Sequence, residues 1–203
     1  TYLEEEELFA LQRTLQTIHA LVKFLKAEEE NEGGLTAYDY PALAALTEGV
    51  IPMPTVIQRI MQVLDKFGHI RDNASPELAA IRRELSRTQN SISGILNNIL
   101  LSAQKEGLVE KDAAPTLRDG RLVLPVAPGV KRRIRGIVHD ESASGRTVYI
   151  EPEEVVETNN RIRELKSEER HEVVRILRET ADFVRPHCEE ILFSLGFLAQ
   201  IDF

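Results

Sequence analysis

From Leu8 the apolar residues fall at Leu8, Leu11, Leu15, Ile18, Val22 and Leu25, three and four apart, which places them on one face of an α-helix. The acidic run Glu4 to Glu7 lies in its first turn, where the helix dipole favours negative charge, and Gly33-Gly34 in the polar stretch beyond predicts a break and a loop. Pro41, Pro52 and Pro54 bracket a short helical piece with Leu43 and Leu46. Val56, Ile57, Ile60, Met61 and Leu64 then repeat with helical spacing until Gly68, completing a helical base.

Ser75-Pro76-Glu77-Leu78 is a helix start signal, with a capping hydroxyl, a proline suited to the first turn and a carboxylate suited to the dipole. The stripe Leu78, Ile81, Leu85, Ile92, Leu96 and Ile99 extends that helix to about Ser102, roughly 42 Å at about 1.5 Å per residue. After Pro115 the pattern turns extended. Arg121–Val126, Ile134–His139 and Arg146–Glu151 are β-rich runs separated by turn formers at Pro128-Gly129 and Ser144-Gly145, which predicts a small antiparallel sheet. Pro125 cannot donate a ladder hydrogen bond, so the first run is expected at an edge or a bulge.

Pro152 opens a second long helix carrying Val155, Val156, Ile162, Leu165, Val173, Ile176, Leu177 and Val184 mostly on one side. Its stretch Arg161 to Arg170 has few apolar residues and is expected to run through solvent, with Arg161 opposing Glu164 and Glu168. Pro186 should kink or end it, and Ile191, Leu192, Leu195, Leu198 and Ile201 form an apolar helix returning to the base. The expected fold class is mainly α with a small antiparallel β insert, two long helices bracketing the insert. The divisions are a helical core (1–74), an outgoing helix (75–115), a β module (116–152), a returning helix (153–185) and a helical return (186–203).

Composition sharpens this outline. The 203 residues include 25 Lys and Arg, 33 Asp and Glu and one cysteine, Cys188, for a net charge of -8. A single cysteine excludes an internal disulfide framework and, with no transmembrane run or signal peptide, leads to the expectation of a cytoplasmic protein without a membrane partner. The lack of a starting Met and the end at Ile201-Asp202-Phe203 lead to the expectation of a piece of a longer protein. An acidic chain repels phosphates on average, but the charge is unevenly placed. Residues 116–150 hold seven Lys and Arg, namely Arg118, Arg121, Lys131, Arg132, Arg133, Arg135 and Arg146, against Asp119, Asp140 and Glu141, a net of +4. The rest, with 18 basic and 30 acidic residues, carries -12. Those seven are the candidate nucleic-acid contacts, because guanidinium forks match phosphate oxygens.

Catalytic readings are weaker. His139, Ser142 and Ser144 surround a Ser- and Gly-rich turn that superficially offers a base and nucleophiles, but hairpin geometry accounts for that composition. Glu168 and His171 form one Glu-x-x-His pair where a di-metal bundle needs two, and Cys188 beside His187 reads as a buried structural thiol. No phosphate-loop or dinucleotide glycine motif occurs, and the 5% aromatic content disfavours stacking on bases. Neither catalysis nor a bound cofactor or metal is expected of this piece.

Several ordered blocks carry a likeness. Asp119-Gly-Arg-Leu-Val-Leu-Pro-Val126, Gly136-Ile-Val-His-Asp-Glu-Ser-Ala-Ser-Gly145, Val148-Tyr-Ile-Glu-Pro152 and Asn159-Asn160 closely resemble the MutS-two family, bacterial paralogues of the DNA mismatch repair protein MutS. Asp72-Asn-Ala-Ser-Pro-Glu-Leu78 and the closing Ile-Asp-Phe fit the same family. The resemblance implies a core and lever region with a clamp-like β module, separated from an ATPase domain that uses ATP and Mg and from a nuclease domain. It implies homodimers of the full-length protein and binding to branched or recombination-intermediate DNA. The alternative it implies is recognition of collided ribosomes. The family lacks the mismatch-reading domain of true MutS, so mismatch recognition is not expected here. Pro128-Gly129-Val130 departs from the family's usual Lys-containing polar stretch.

Overall fold

The stripe beginning at Leu8 forms helix α1, Glu5–Leu25, whose start is tied by Glu4 N–H donating to Glu7 Oε2 at 2.9 Å. It belongs to a computed structural model that describes residues 2–30, 36–38, 40–130 and 132–201. Gly33-Gly34, Lys131, Asp202 and Phe203 lie outside the described residues. The remaining helices are α2 (Pro41–Leu46), α3 (Pro54–Val63), α4 (Pro76–Lys105), α5 (Val156–Val184) and α6 (Cys188–Ile201). A short hairpin pairs β1 (Glu28–Glu30) with β2 (Thr36–Tyr38), where the Glu-rich sequence reads only as a loop. The protein is mainly α with a small antiparallel sheet, and its contacts fall into two units, Thr1–Pro76 with Glu172–Phe203 and Glu77–His171.

In the first unit α1 packs on α3 and α6. Its buried face is Leu8, Gln12, Leu15, Ile18, Val22 and Leu25, so Gln12 takes an inward place expected of Leu11, which is only half-buried. In α3 Val63 is buried and Met61 is exposed, the reverse of the expectation, and α2 buries Ala44 while Leu43 and Leu46 stay exposed. In α6 the inward face is Ile191, Ser194 and Phe197, with Leu192 and Leu195 exposed, a stripe rotated from the predicted one. Such rotations arise because an apolar residue beside a stripe fits the pattern as well as one in it. Pro186 acts as expected: α5 stops at Val184, a single 3₁₀ turn spans Arg185–His187, and α6 follows. Cys188 is exposed rather than buried, because it heads α6 outside the inward stripe.

Ser75 does more than introduce α4. Its hydroxyl donates to Glu172 Oε1 at 2.5 Å, and the Arg175 guanidinium donates to both oxygens of the same buried carboxylate at 2.6 and 2.7 Å. Those bonds, from Arg175 first and then Ser75, hold the Glu172 carboxyl below the usual carboxylate range.

In the second unit the strands are β3 (Thr116–Arg118), β4 (Arg121–Val126), β5 (Gly136–Glu141) and β6 (Val148–Pro152), all antiparallel in the order β3-β4-β6-β5. Strand β3 was not expected. It folds back on β4 through Asp119-Gly120, both at positive φ (49° and 76°), a two-residue turn that an Asp-Gly pair favours. Strand β4 is therefore interior, not an edge. Pairing with β3 covers only Arg121 to Val123, so at Pro125 one side of the strand has no ladder and the missing N–H is tolerated. One sheet face, with Leu124, Val126, Val148 and Ile150, packs on Ile92, Leu96 and Leu100 of α4 and Ile162 of α5. The returning helix starts later than Pro152 predicts, because Glu153–Val155 form a 3₁₀ turn first.

The charged middle of α5 is only partly solvated. Ile162 and Leu165 are buried, and Arg161 bonds Glu168 (3.0 Å) and Glu164 (3.3 Å) as expected, and also Glu84 on α4 (2.8 Å). Arg82 and Glu169 add a second pair between the two helices at 2.7 Å.

The folded-state pKa of Glu172 lies below its ordinary value, so its contribution is complete above about pH 4.3 and is lost as pH falls through the folded value. Urea midpoints measured from pH 7 down to pH 3 should fall on the acid side, and Glu172→Gln should flatten that limb.

Candidate nucleic-acid interface and its buried anchor

Strand β5 begins where only glycine fits. A Cβ on Gly136 would lie 2.2 Å from the Glu151 carbonyl oxygen, so any side chain would force β5 off β6. Further along, Val138 faces Ile150 and Asp140 faces Tyr149, which leaves His139 as the extra residue of a bulge. A bulge re-aims its side chain. The His139 ring turns onto Glu151, with Nε2 at 2.6 Å from Oε2.

Glu151 is fully buried, and its carboxylate is bonded from three elements. Arg121 Nη1 of β4 and Asn159 Nδ2 of α5 donate to Oε1 at 2.6 and 2.7 Å, while His139 of β5 occupies Oε2. A carboxylate only accepts, so the proton of this His139 contact sits on Nε2. Asn159 also exchanges bonds with both backbone groups of Leu122 at 3.1 Å, and Arg121 Nη2 donates to Asn160 Oδ1 at 2.7 Å. The arrangement clamps three strand segments to the first turns of α5.

This anchor sorts the seven candidate cations. Arg121, with both guanidinium arms engaged and its side chain 14% exposed, is a structural cation rather than a phosphate ligand. Arg118 lies over the Tyr149 ring at 4.2 Å from its centroid and 3.5 Å from Asp140 Oδ2, partly committed to the sheet. Arg132, Arg133 and Arg135 lie on the exposed connection between β4 and β5, and Arg146 on the exposed turn between β5 and β6. Only Arg133 among these four has an ion pair in the described residues, with Glu106 at 3.2 Å, and both partners are more than half exposed. Such a pair is worth about 0–1 kcal/mol and yields readily to a phosphate. Lys131 lies outside the described residues.

The turn residues have structural work. Ser142 Oγ accepts Thr147 N–H at 3.0 Å and lies 3.4 Å from Ser144 Oγ, while Ser142 N–H donates to Thr147 O at 2.8 Å. Hairpin closure accounts for both serines, and His139 is held by Glu151. No cluster of three or more His, Cys, Asp or Glu able to hold a metal occurs among the described residues. No helix among them is long and apolar enough to cross a membrane. The sequence blocks contain Glu151 and Asn159, but nothing in their spacing marks a shared site. The available signal was a carboxylate in an apolar strand and an asparagine in an apolar helix stripe.

Fold and site together define a helical module with an arginine-bearing β insert held between two long helices. The chain is similar over 99% of its length to proteins named Endonuclease MutS2, at 36% identity in Geobacillus sp. (strain WCH70) and 33% in Halalkalibacterium halodurans. The relative of the same name in Finegoldia magna is 35% identical over 202 residues. No family model matches the chain. The chain spans about a quarter of the length of these relatives, 25% in each case. Nearly the whole chain thus matches a segment of proteins of that name, the family that the ordered sequence blocks resemble.

Replacing Glu151 by Ala should strand Arg121 and His139 without their shared acceptor. The expected loss of stability is about 3–5 kcal/mol, read from chemical denaturation. A cost below about 1 kcal/mol would refute the anchor role.

Proposed function

We propose that this chain is the non-catalytic core, lever and clamp-like region of a MutS2-type ATPase and that it contacts branched or recombination-intermediate DNA through the phosphate backbone. The observation that carries the reading is the group Arg132, Arg133 and Arg135, exposed together on the connection that enters β5, with Arg146 exposed on the turn that leaves it and one weak acidic partner among the described residues. Guanidinium forks held this way suit phosphate oxygens and carry no base-edge pattern, so binding would follow DNA shape and charge. The acidic remainder of the chain would keep the duplex at the insert. In the full-length protein the long helices would link this contact to an ATP- and Mg-dependent domain, and a homodimer would supply two arms. Two linked arms raise avidity by about 10² to 10⁴, so a single arm binds weakly. Control of DNA repair and recombination is the role this implies.

A second reading is an interaction module for a protein or a ribosome. It is favoured by the outer edge of β5, where Ile137 and Val138 are both exposed beside an unpaired strand ladder. Binding of the chain to branched DNA and to ribosomes at physiological salt discriminates the two.

For the DNA reading, substituting Gln at Arg132, Arg133 and Arg135 together should flatten the slope of log K against log salt by about 2 to 3 units on a four-way junction. An unchanged slope would remove those arginines from the contact.

A further inference from the structure

Strand β5 is an outer edge of the four-stranded sheet, paired with β6 on one side and with no strand among the described residues on the other. It is exposed along most of its length, whereas β6 beside it is almost wholly buried. Its apolar side chains are not withdrawn: Ile137 is 50% exposed and Val138 44%. An open strand with exposed aliphatic residues is a template for a further strand. The opposite edge, β3, has three residues against six in β5.

Charge along β5 decides which strand fits. Arg132, Arg133 and Arg135 lead into it, and Asp140 and Glu141 end it. Two of these charges have partners within the chain, Arg133 with Glu106 at 3.2 Å and Asp140 with Arg118 at 3.5 Å. Arg135 and Glu141 are exposed and have no ion pair among the described residues. A strand that is positive at one end and negative at the other is complementary to its own antiparallel copy. With a two-fold axis beside Val138, the two Val138 side chains face each other. Arg135 of each copy then lies across from Glu141 of the other, because both positions are equally distant from 138.

We propose that β5 pairs antiparallel with β5 of a second copy of this chain, joining the two sheets into one. The proposal rests on the interaction reading of this edge given above and names its partner. The bulge at His139 leaves a short stretch to pair, so the contact belongs to the weak class that buries less than about 1,200 Å². Such a contact is sustained where two copies are already held close together.

The test uses the 203-residue chain without DNA. Sedimentation equilibrium at concentrations up to about 1 mM should show monomer and dimer exchanging, with the dimer weakening as salt rises. Arg135→Glu or Glu141→Arg alone should weaken the dimer about tenfold, and the two together should restore it, with circular dichroism unchanged in all three. In a Cys188→Ser background, Val138→Cys should form an intermolecular disulfide on mild oxidation about tenfold faster than Leu117→Cys on the opposite edge. A chain that stays monomeric at about 1 mM, single reversals without effect, a double reversal that fails to rescue, or equal cross-linking at both edges overturns the proposal. Val138→Lys separates it from the reading it rests on. If the chain is monomeric throughout, yet binds ribosomes and loses them on Val138→Lys, the edge serves a different partner and only the second copy is refuted. Neither self-association nor ribosome binding through this edge refutes both.

Discussion

The β insert depends on one buried carboxylate. Glu151 has no contact with solvent, and a bare charge there would cost far more than the sheet could offset without partners. Its partners come from three elements: Arg121 on β4, His139 from the bulge of β5, and Asn159 on α5. Two of them are held again elsewhere, Arg121 by Asn160 and Asn159 by the backbone of Leu122. Apolar packing of Leu124, Val126, Val148 and Ile150 against α4 supplies the bulk of the attraction, but it is non-directional. The carboxylate network adds direction, fixing the bulge and joining the sheet to the start of α5.

That constraint decides which cations can reach a ligand. Arg121 is drawn inward to neutralise Glu151, and Arg118 is laid across Tyr149, so the positive charge counted along residues 116–150 is not all surface charge. Arg132, Arg133, Arg135 and Arg146 remain outside on loops whose ends the sheet holds firmly. Arg135 lies next to Gly136, and its carbonyl accepts from Glu153 N–H at 3.1 Å, so the basic connection is tied directly to the turn that starts the returning helix.

Polar residues within apolar stripes mark the specialised places in both units. Asn159 interrupts the stripe of α5 and completes the Glu151 anchor; Glu172, further along, binds Ser75 and Arg175. Gln12 interrupts α1 at an inward place. At Asn159 and Glu172 partners meet the inward polar groups, whereas Gln12 Oε1 is left without a hydrogen-bond partner among the described residues.

The helix stripes, the turn signals and the charge asymmetry were legible in the sequence because they are local: period, capping and composition act within a few residues. The four long helices, the three predicted strands and the loops bearing Arg132, Arg133, Arg135 and Arg146 follow from that information. So does the family likeness, since its blocks are contiguous. Strand β3 was also encoded locally, in Asp119-Gly120, but its partner residues carry too short a pattern to stand out. Tertiary structure alone decided the withdrawal of Arg121 from the exposed cations, the meeting of His139, Glu151 and Asn159, and the inward place of Gln12. These depend on strand register, a one-residue bulge and the rotation of a helix by part of a turn, and each is set by packing between segments tens of residues apart.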